Sequence, residues 1–121
     1  MKVKIDTKEK FHVITIDESD LPANMTEELN ETLLAFLNQP IKNIIINFCN
    51  VEKIDASVAN ALVTIQQTSY DANSSMVICN IQPKVEKYLD ETELLELMNV
   101  TPTESEAWDI VQMEEIEREF N

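Results

Sequence analysis

Glycine is absent from this chain of 121 residues. A phosphate-cradling Walker loop and a G-x-G-x-x-G dinucleotide fingerprint both depend on glycine for tight turns and close backbone approach, so the sequence excludes both. Histidine occurs once, at His12 in the strand-like run "FHVITI". Without a second histidine to complete a metal site, a structural or surface role is the better reading than a catalytic base. The paired acids of "EE" at 27–28 and 114–115 fall on helical segments, where a solvated face explains them better than acid–base chemistry does. No catalytic constellation emerges, and the expectation is a protein that is not an enzyme and needs no cofactor or metal.

Cysteine occurs twice, at Cys49 in "NFCN" and Cys79 in "VICN". Both surroundings are apolar and strand-like, where a cysteine is expected to act as a small buried hydrophobe rather than as half of a disulfide. Basic residues are scarce, with nine Lys and Arg against 23 Asp and Glu and a net charge of −14. Phosphate-backbone binding needs clustered cations, so this balance argues against nucleic acid and anionic membrane as partners. It favours a solvated acidic surface and a bias toward basic protein surfaces. No apolar stretch approaches a bilayer span, and "MKVKIDTKEK" lacks the apolar core of a signal peptide. A cytoplasmic, reduced protein is expected, in which the sequons beginning at Asn24, Asn30, Asn73 and Asn99 arise by chance.

What is present is ordinary for a folded domain. Apolar residues make up 44% and charged residues 26%, and a single domain over 1–121 is expected. "KVKID" and "FHVITI" read as two strands joined by "TKEK". From Met25 the period changes: Met25, Leu29, Leu33 and Phe36 or Leu37 share one helical face, and Pro40 stops the helix. "KNIIINF" is apolar enough to be a strand covered on both faces. Val58, Ala61, Leu62 and Ile65 mark a second helix ending near "DANSS", and "MVICNI" is a further strand. Pro83 suits the first turn of a helix "KVEKYLD", "ELLELM" is helical or turn-like, and "NV" adds a short edge strand. Thr103 and Glu106 have the spacing of a capping box, opening a last helix. On that helix Ala107, Ile110 and Val111 form one apolar arc while Met113, Ile116 and Phe120 form another, rotated around the axis. The helix either bends or frays over the domain, or offers a second apolar face to a partner or a second copy. The order of elements indicates an α/β domain with a mixed sheet.

The stretch "KIDASVAN", residues 53–60, joins a strand to a helix. Asp55 stands just before the first helical residue, where its carboxylate can accept from a free N–H and place a negative charge at the positive end of the helix. It is read as an N-cap, on an exposed loop that a partner can also read. Ser57 falls in the first turn, where a phosphate could accept from free N–H groups, and is a candidate phosphate acceptor.

"NIIINFCNVEKIDASVANALVTIQ" and "SSMVICNIQPKVEKYLDETELLELMNVTPTESEAWDIV" together resemble the STAS family, the domain of bacterial anti-sigma factor antagonists, over residues 8–113. The likeness lies in the strand before the loop, the Asp closing the loop, the apolar spacing of the helix, and the strand followed by "IQPKVEKYLD". The resemblance implies a four- or five-stranded mixed sheet with helices mainly on one face. It also implies a function, binding a kinase-like anti-sigma factor and so releasing a sigma factor. The family's loop reads Asp-Ser-Ser-Gly or Asp-Ser-Thr-Gly, and the first hydroxyl after the Asp is the phosphorylated switch. Here that position is Ala56, Ser57 follows, and Val58 replaces the glycine. The family's acidic residue before the first helix maps to Ala23 or Asn24, so it too is missing. The expectation is a regulator that docks a protein partner through Asp55, Ala56, Ser57, Val58 and Asn60 without the usual phosphorylation, as a monomer or weak homodimer. The alternative is a STAS-like accessory subunit of a larger assembly, such as a transporter ATPase complex.

Overall fold

The computed structural model describes residues 1–120. In chain order the elements are β1 (Val3–Thr7), β2 (Phe11–Ile16), β3 (Asp20–Leu21), α1 (Thr26–Leu34), β4 (Asn43–Asn47), β5 (Lys53–Ile54), α2 (Ala56–Asp71), β6 (Met76–Cys79), α3 (Pro83–Glu91), β7 (Val100–Thr101) and α4 (Glu104–Glu119), with short 3₁₀ turns before and after α1 and after α3. The main sheet has five strands in the order β1-β2-β4-β6-β7. β1 runs antiparallel to β2, and the remaining pairs are parallel. The expected α/β fold with a mixed sheet is therefore observed.

Strand alternation divides the sheet between two cores. Ile14, Ile16, Ile44, Ile46, Met76 and Ile78 meet Leu29 and Leu33 of α1, Val58, Leu62 and Ile65 of α2, and Val85 and Leu89 of α3. On the opposite face Phe11, Val13, Ile45, Val77 and Cys79 pack against Ala107 and Val111 of α4. Every residue of β4 is buried, because this strand is covered on both sides as its unbroken apolar run requires. Three helices share one face and α4 alone covers the other, in line with helices mainly on one side.

The ends of the helices follow from local chemistry. Pro83 occupies the first turn of α3, where a missing N–H leaves nothing unpaired. Thr103 caps α4, its hydroxyl accepting from the Glu106 N–H at 3.3 Å. With no glycine in the chain, the left-handed positions fall to Asn73, Asn80 and Glu93, at φ 59°, 58° and 62°. Asn73 and Glu93 each close a helix by the paired bonds of a Schellman turn: Ser74 N–H to Ser69 C=O and Asn73 N–H to Tyr70 C=O after α2, Leu94 N–H to Leu89 C=O and Glu93 N–H to Asp90 C=O after α3.

One sequence expectation needs correction, and one small sheet is not anticipated by the sequence. Cys79 is buried, and burial together with the nearby Glu104 carboxylate pushes its thiol up to about 12. Cys49, expected to be buried as well, is exposed. The strand ends at Asn47, whose side-chain oxygen accepts from the Cys49 N–H at 2.9 Å and turns the chain outward one residue past Phe48. The unanticipated sheet has two strands, in which Asp20 and Leu21 pair in parallel with Lys53 and Ile54. Strands of two residues carry no readable period.

His12 is structural. It is buried, its Nε2 donates to the Ile41 carbonyl at 2.9 Å, its Nδ1 lies 2.8 Å from the Thr7 hydroxyl, and its ring leans on Phe36 at 4.7 Å between centroids.

Candidate functional site

The sequence "KIDASVAN" forms β5, a one-residue link and the first turn of α2. Its position is set by the small β3–β5 sheet and by the Asp55 N–H, which donates to the Leu21 carbonyl at 2.9 Å. This leaves Asp55 in an extended conformation at the N-cap of α2, with its carboxylate turned onto the helix end. Oδ2 accepts from the Ser57 N–H at 2.8 Å and from the Ser57 hydroxyl at 2.5 Å. The hydroxyl and backbone bonds from Ser57 together hold the Asp55 carboxyl below the usual carboxylate range. A carboxylate so stabilised is a poor proton acceptor, which suits a cap and not a general base.

The five residues of the expected docking loop are brought together at one helix end but divide by exposure. Asp55, Ser57 and Asn60 are exposed, Ala56 is half-buried, and Val58 is fully buried among Leu62, Ile65 and the sheet. Val58 thus belongs to the core and offers no surface of its own. The Asn60 amide donates back to the Ala56 carbonyl at 2.9 Å, fixing its side chain along the first turn. The Thr26 hydroxyl at the start of α1 lies 3.4 Å from that of Ser57 and donates to the Ala23 carbonyl at 2.8 Å, so the two helix starts stand side by side.

Beside the loop lies a groove of about 440 Å³ whose walls include Asp20, Ala23, Lys53, Asp55, Lys84 and Tyr88. No sequence pattern points to Lys84 and Tyr88, because only the packing of α3 against β5 places them here. The resemblance likewise puts the missing acid at Ala23 or Asn24, whereas Asp20, carried by β3, supplies a carboxylate to the same groove. The surface as a whole combines fixed hydrogen-bonding groups, a capped helix end and charges of both signs.

A family profile described as "STAS domain" matches residues 2–107. No curated protein matches the chain. Among solved structures, a candidate anti-sigma factor antagonist of Thermotoga maritima superposes with a TM-score of 0.76 at 20% identity, over 91% of this chain and 94% of its own. A serine-to-glutamate form of RsbS from Moorella thermoacetica gives 0.73 at 22% identity, covering 93% of this chain and 96% of its own. The anti-sigma factor antagonist SpoIIAA of Bacillus, in its unphosphorylated form, gives 0.71 at 20% identity, covering 92% and 96%. At such identities the likeness establishes a shared fold.

Proposed function

The chain belongs to the STAS domain family, and from that premise we propose that it is a non-enzymatic regulator that docks a protein partner, a kinase-like anti-sigma factor, through the start of α2 without being switched there by phosphate. The reading places its action in the cytoplasm of a bacterium, as one step in the control of transcription. The observation that carries it is Ala56. At the first position of α2 the chain presents a half-buried methyl group, which has no oxygen to take a phosphoryl group. The charge of about −1.5 to −2 that would reverse a docking surface therefore does not form at this position. The docking residues are Asp55, Ala56, Ser57 and Asn60, with Val58 supporting them from below. Ser57 is the one hydroxyl of the loop itself, and it is engaged by the Asp55 carboxylate.

The test is incubation with ATP and the kinase-like anti-sigma factor of the same cell, followed by mass spectrometry of the peptide spanning 53–66. No phosphopeptide is expected, and Ala56→Ser should restore phosphorylation at 56. Phosphate on Ser57 of the unaltered chain would overturn the non-switching reading and move the acceptor by one residue. In parallel, Asn60→Arg should leave the fold intact, because this side chain is exposed, and should weaken the complex. Unchanged affinity would put the interface elsewhere.

A further inference from the structure

Helix α4 carries two apolar arcs, and the structure separates them. Ala107 and Val111 are buried against the sheet. Met113, Ile116 and Phe120 remain 58%, 53% and 84% exposed, and among the described residues only Ile5 and Leu97 are comparable large apolar side chains in solvent. The i, i+3, i+7 spacing aligns the three on one stripe, roughly 10 Å long at 1.5 Å rise per residue. This end of the helix is pinned from beneath. Glu114 accepts from the Tyr70 hydroxyl at 2.7 Å, Glu115 accepts from the Asn43 amide at 2.8 Å, and Arg118 donates to Asn43 at 3.0 Å and Ser75 at 2.9 Å. Those inward bonds fix the stripe outward.

The chemistry of the surroundings selects the occupant. By helical spacing Asp109 stands four residues before Met113 and Glu119 three after Ile116, both exposed, with Glu106 one turn beyond Asp109, so acids border the stripe. A second copy would bring the same acids and another net charge of −14 against it. Three side chains also fall short of the ~800 Å² per partner of a standard stable interface, which leaves a repelled homodimer nothing to hold it. An anionic membrane surface calls for a basic polar face, the reverse of this one. We propose that the Met113–Ile116–Phe120 stripe is a second docking site, for a protein that presents a short apolar surface ringed by Lys and Arg. Opposite charge steers such an encounter and the apolar stripe anchors it, in the transient class of interface. The site lies on the sheet face opposite α1, α2 and α3, so it stands apart from the loop at the start of α2 and does not depend on the function proposed for that loop.

The probe is a labelled synthetic amphipathic helix with leucines at i, i+3 and i+7 flanked by lysines, titrated into the full chain by fluorescence anisotropy. Binding is expected to weaken about tenfold or more when Met113, Ile116 and Phe120 are all changed to Gln, a substitution that leaves net charge unaltered. It should persist in Asn60→Arg and should fall when the peptide's lysines are replaced by glutamates. Equal binding to the wild type and the triple variant would reduce the effect to bulk charge and overturn the proposal, as would no binding at all. A concentration-dependent dimer in sedimentation equilibrium, abolished by the triple variant, would overturn it by assigning the stripe to a second copy. Matching thermal melts of the two proteins establish that the variant is folded.

Discussion

At Asp55 one carboxylate oxygen accepts both the Ser57 N–H and the Ser57 hydroxyl. Both bonds favour the ionised form, so the folded-state pKa lies below the ordinary value, with a small opposing effect of desolvation. For a depressed carboxyl the linked stability is fully present above the unfolded value, about 4, and is lost as pH falls through the lowered folded value. Glu115 acts in the same direction, its carboxyl lowered chiefly by the Asn43 amide and further by Arg118. Asp55→Asn keeps an oxygen at the cap but removes the titration. Its thermal midpoint should stay close to wild type at neutral pH and fall less steeply than wild type between about pH 4 and pH 2, the ordinary carboxylate range and below. Asp55→Ala should melt earlier at neutral pH, since it also loses the cap. Parallel acid limbs for wild type and Asp55→Asn would show that the carboxylate does not contribute through its ionisation. The cap is legible in the sequence because Asp followed by an apolar helical period is a strong start signal. The groove beside it is not, because Lys84 and Tyr88 reach it from a helix well downstream in the chain, and only tertiary packing joins them.

Among the elements, those with a sustained period are readable, and of the two-residue strands only β7, the edge strand expected at "NV", is anticipated. β2, β4 and β6 carry β-branched or continuous apolar runs, and α2 repeats its apolar positions at helical spacing over sixteen residues. β3 and β5, two residues each, give no signal, though they set where the loop sits. Helix starts are legible at Pro83 and Thr103 and the end of α2 at "DANSS", but the left-handed residue that makes each closure is not marked, since a glycine would mark it and none occurs. Glu93 is the least suited of these residues to a positive φ, since Asn tolerates that region and a longer side chain does so poorly. Glu93→Gly should therefore stabilise the protein, by roughly 0.5–1 kcal/mol once the greater freedom of glycine in the unfolded chain is set against the relieved backbone. Asn73→Gly should gain less. Urea unfolding of both variants checks the order, and a loss of stability in Glu93→Gly would mean that the Glu93 side chain contributes more than its backbone costs.

On the scale of the whole molecule the dominant feature is charge. Even if all nine bases were paired one-to-one, fourteen acids would remain uncompensated. A chain of this length folds to a radius of gyration of roughly 14 Å. At 0.01 M salt the screening length is about 30 Å, comparable with the diameter of the molecule, so every surplus carboxylate feels the others; at 0.15 M it is about 8 Å and each feels only its neighbours. Unfolding spreads the same charges apart, so self-repulsion penalises the compact state more than the extended one. The expected outcome is a thermal midpoint that rises as sodium chloride increases from about 0.01 M to 0.15 M and then levels off, since little repulsion is left to screen beyond that. The same titration should weaken the complex of α4 with the lysine-flanked peptide, because salt screens attraction as well as repulsion. Opposite slopes in the two measurements would identify one cause, a surface whose excess negative charge opposes its own fold while drawing basic partners to it. A midpoint that stays flat or falls over this range would show that the acids are spaced widely enough for the fold not to feel them, and would confine the effect of the charge to binding.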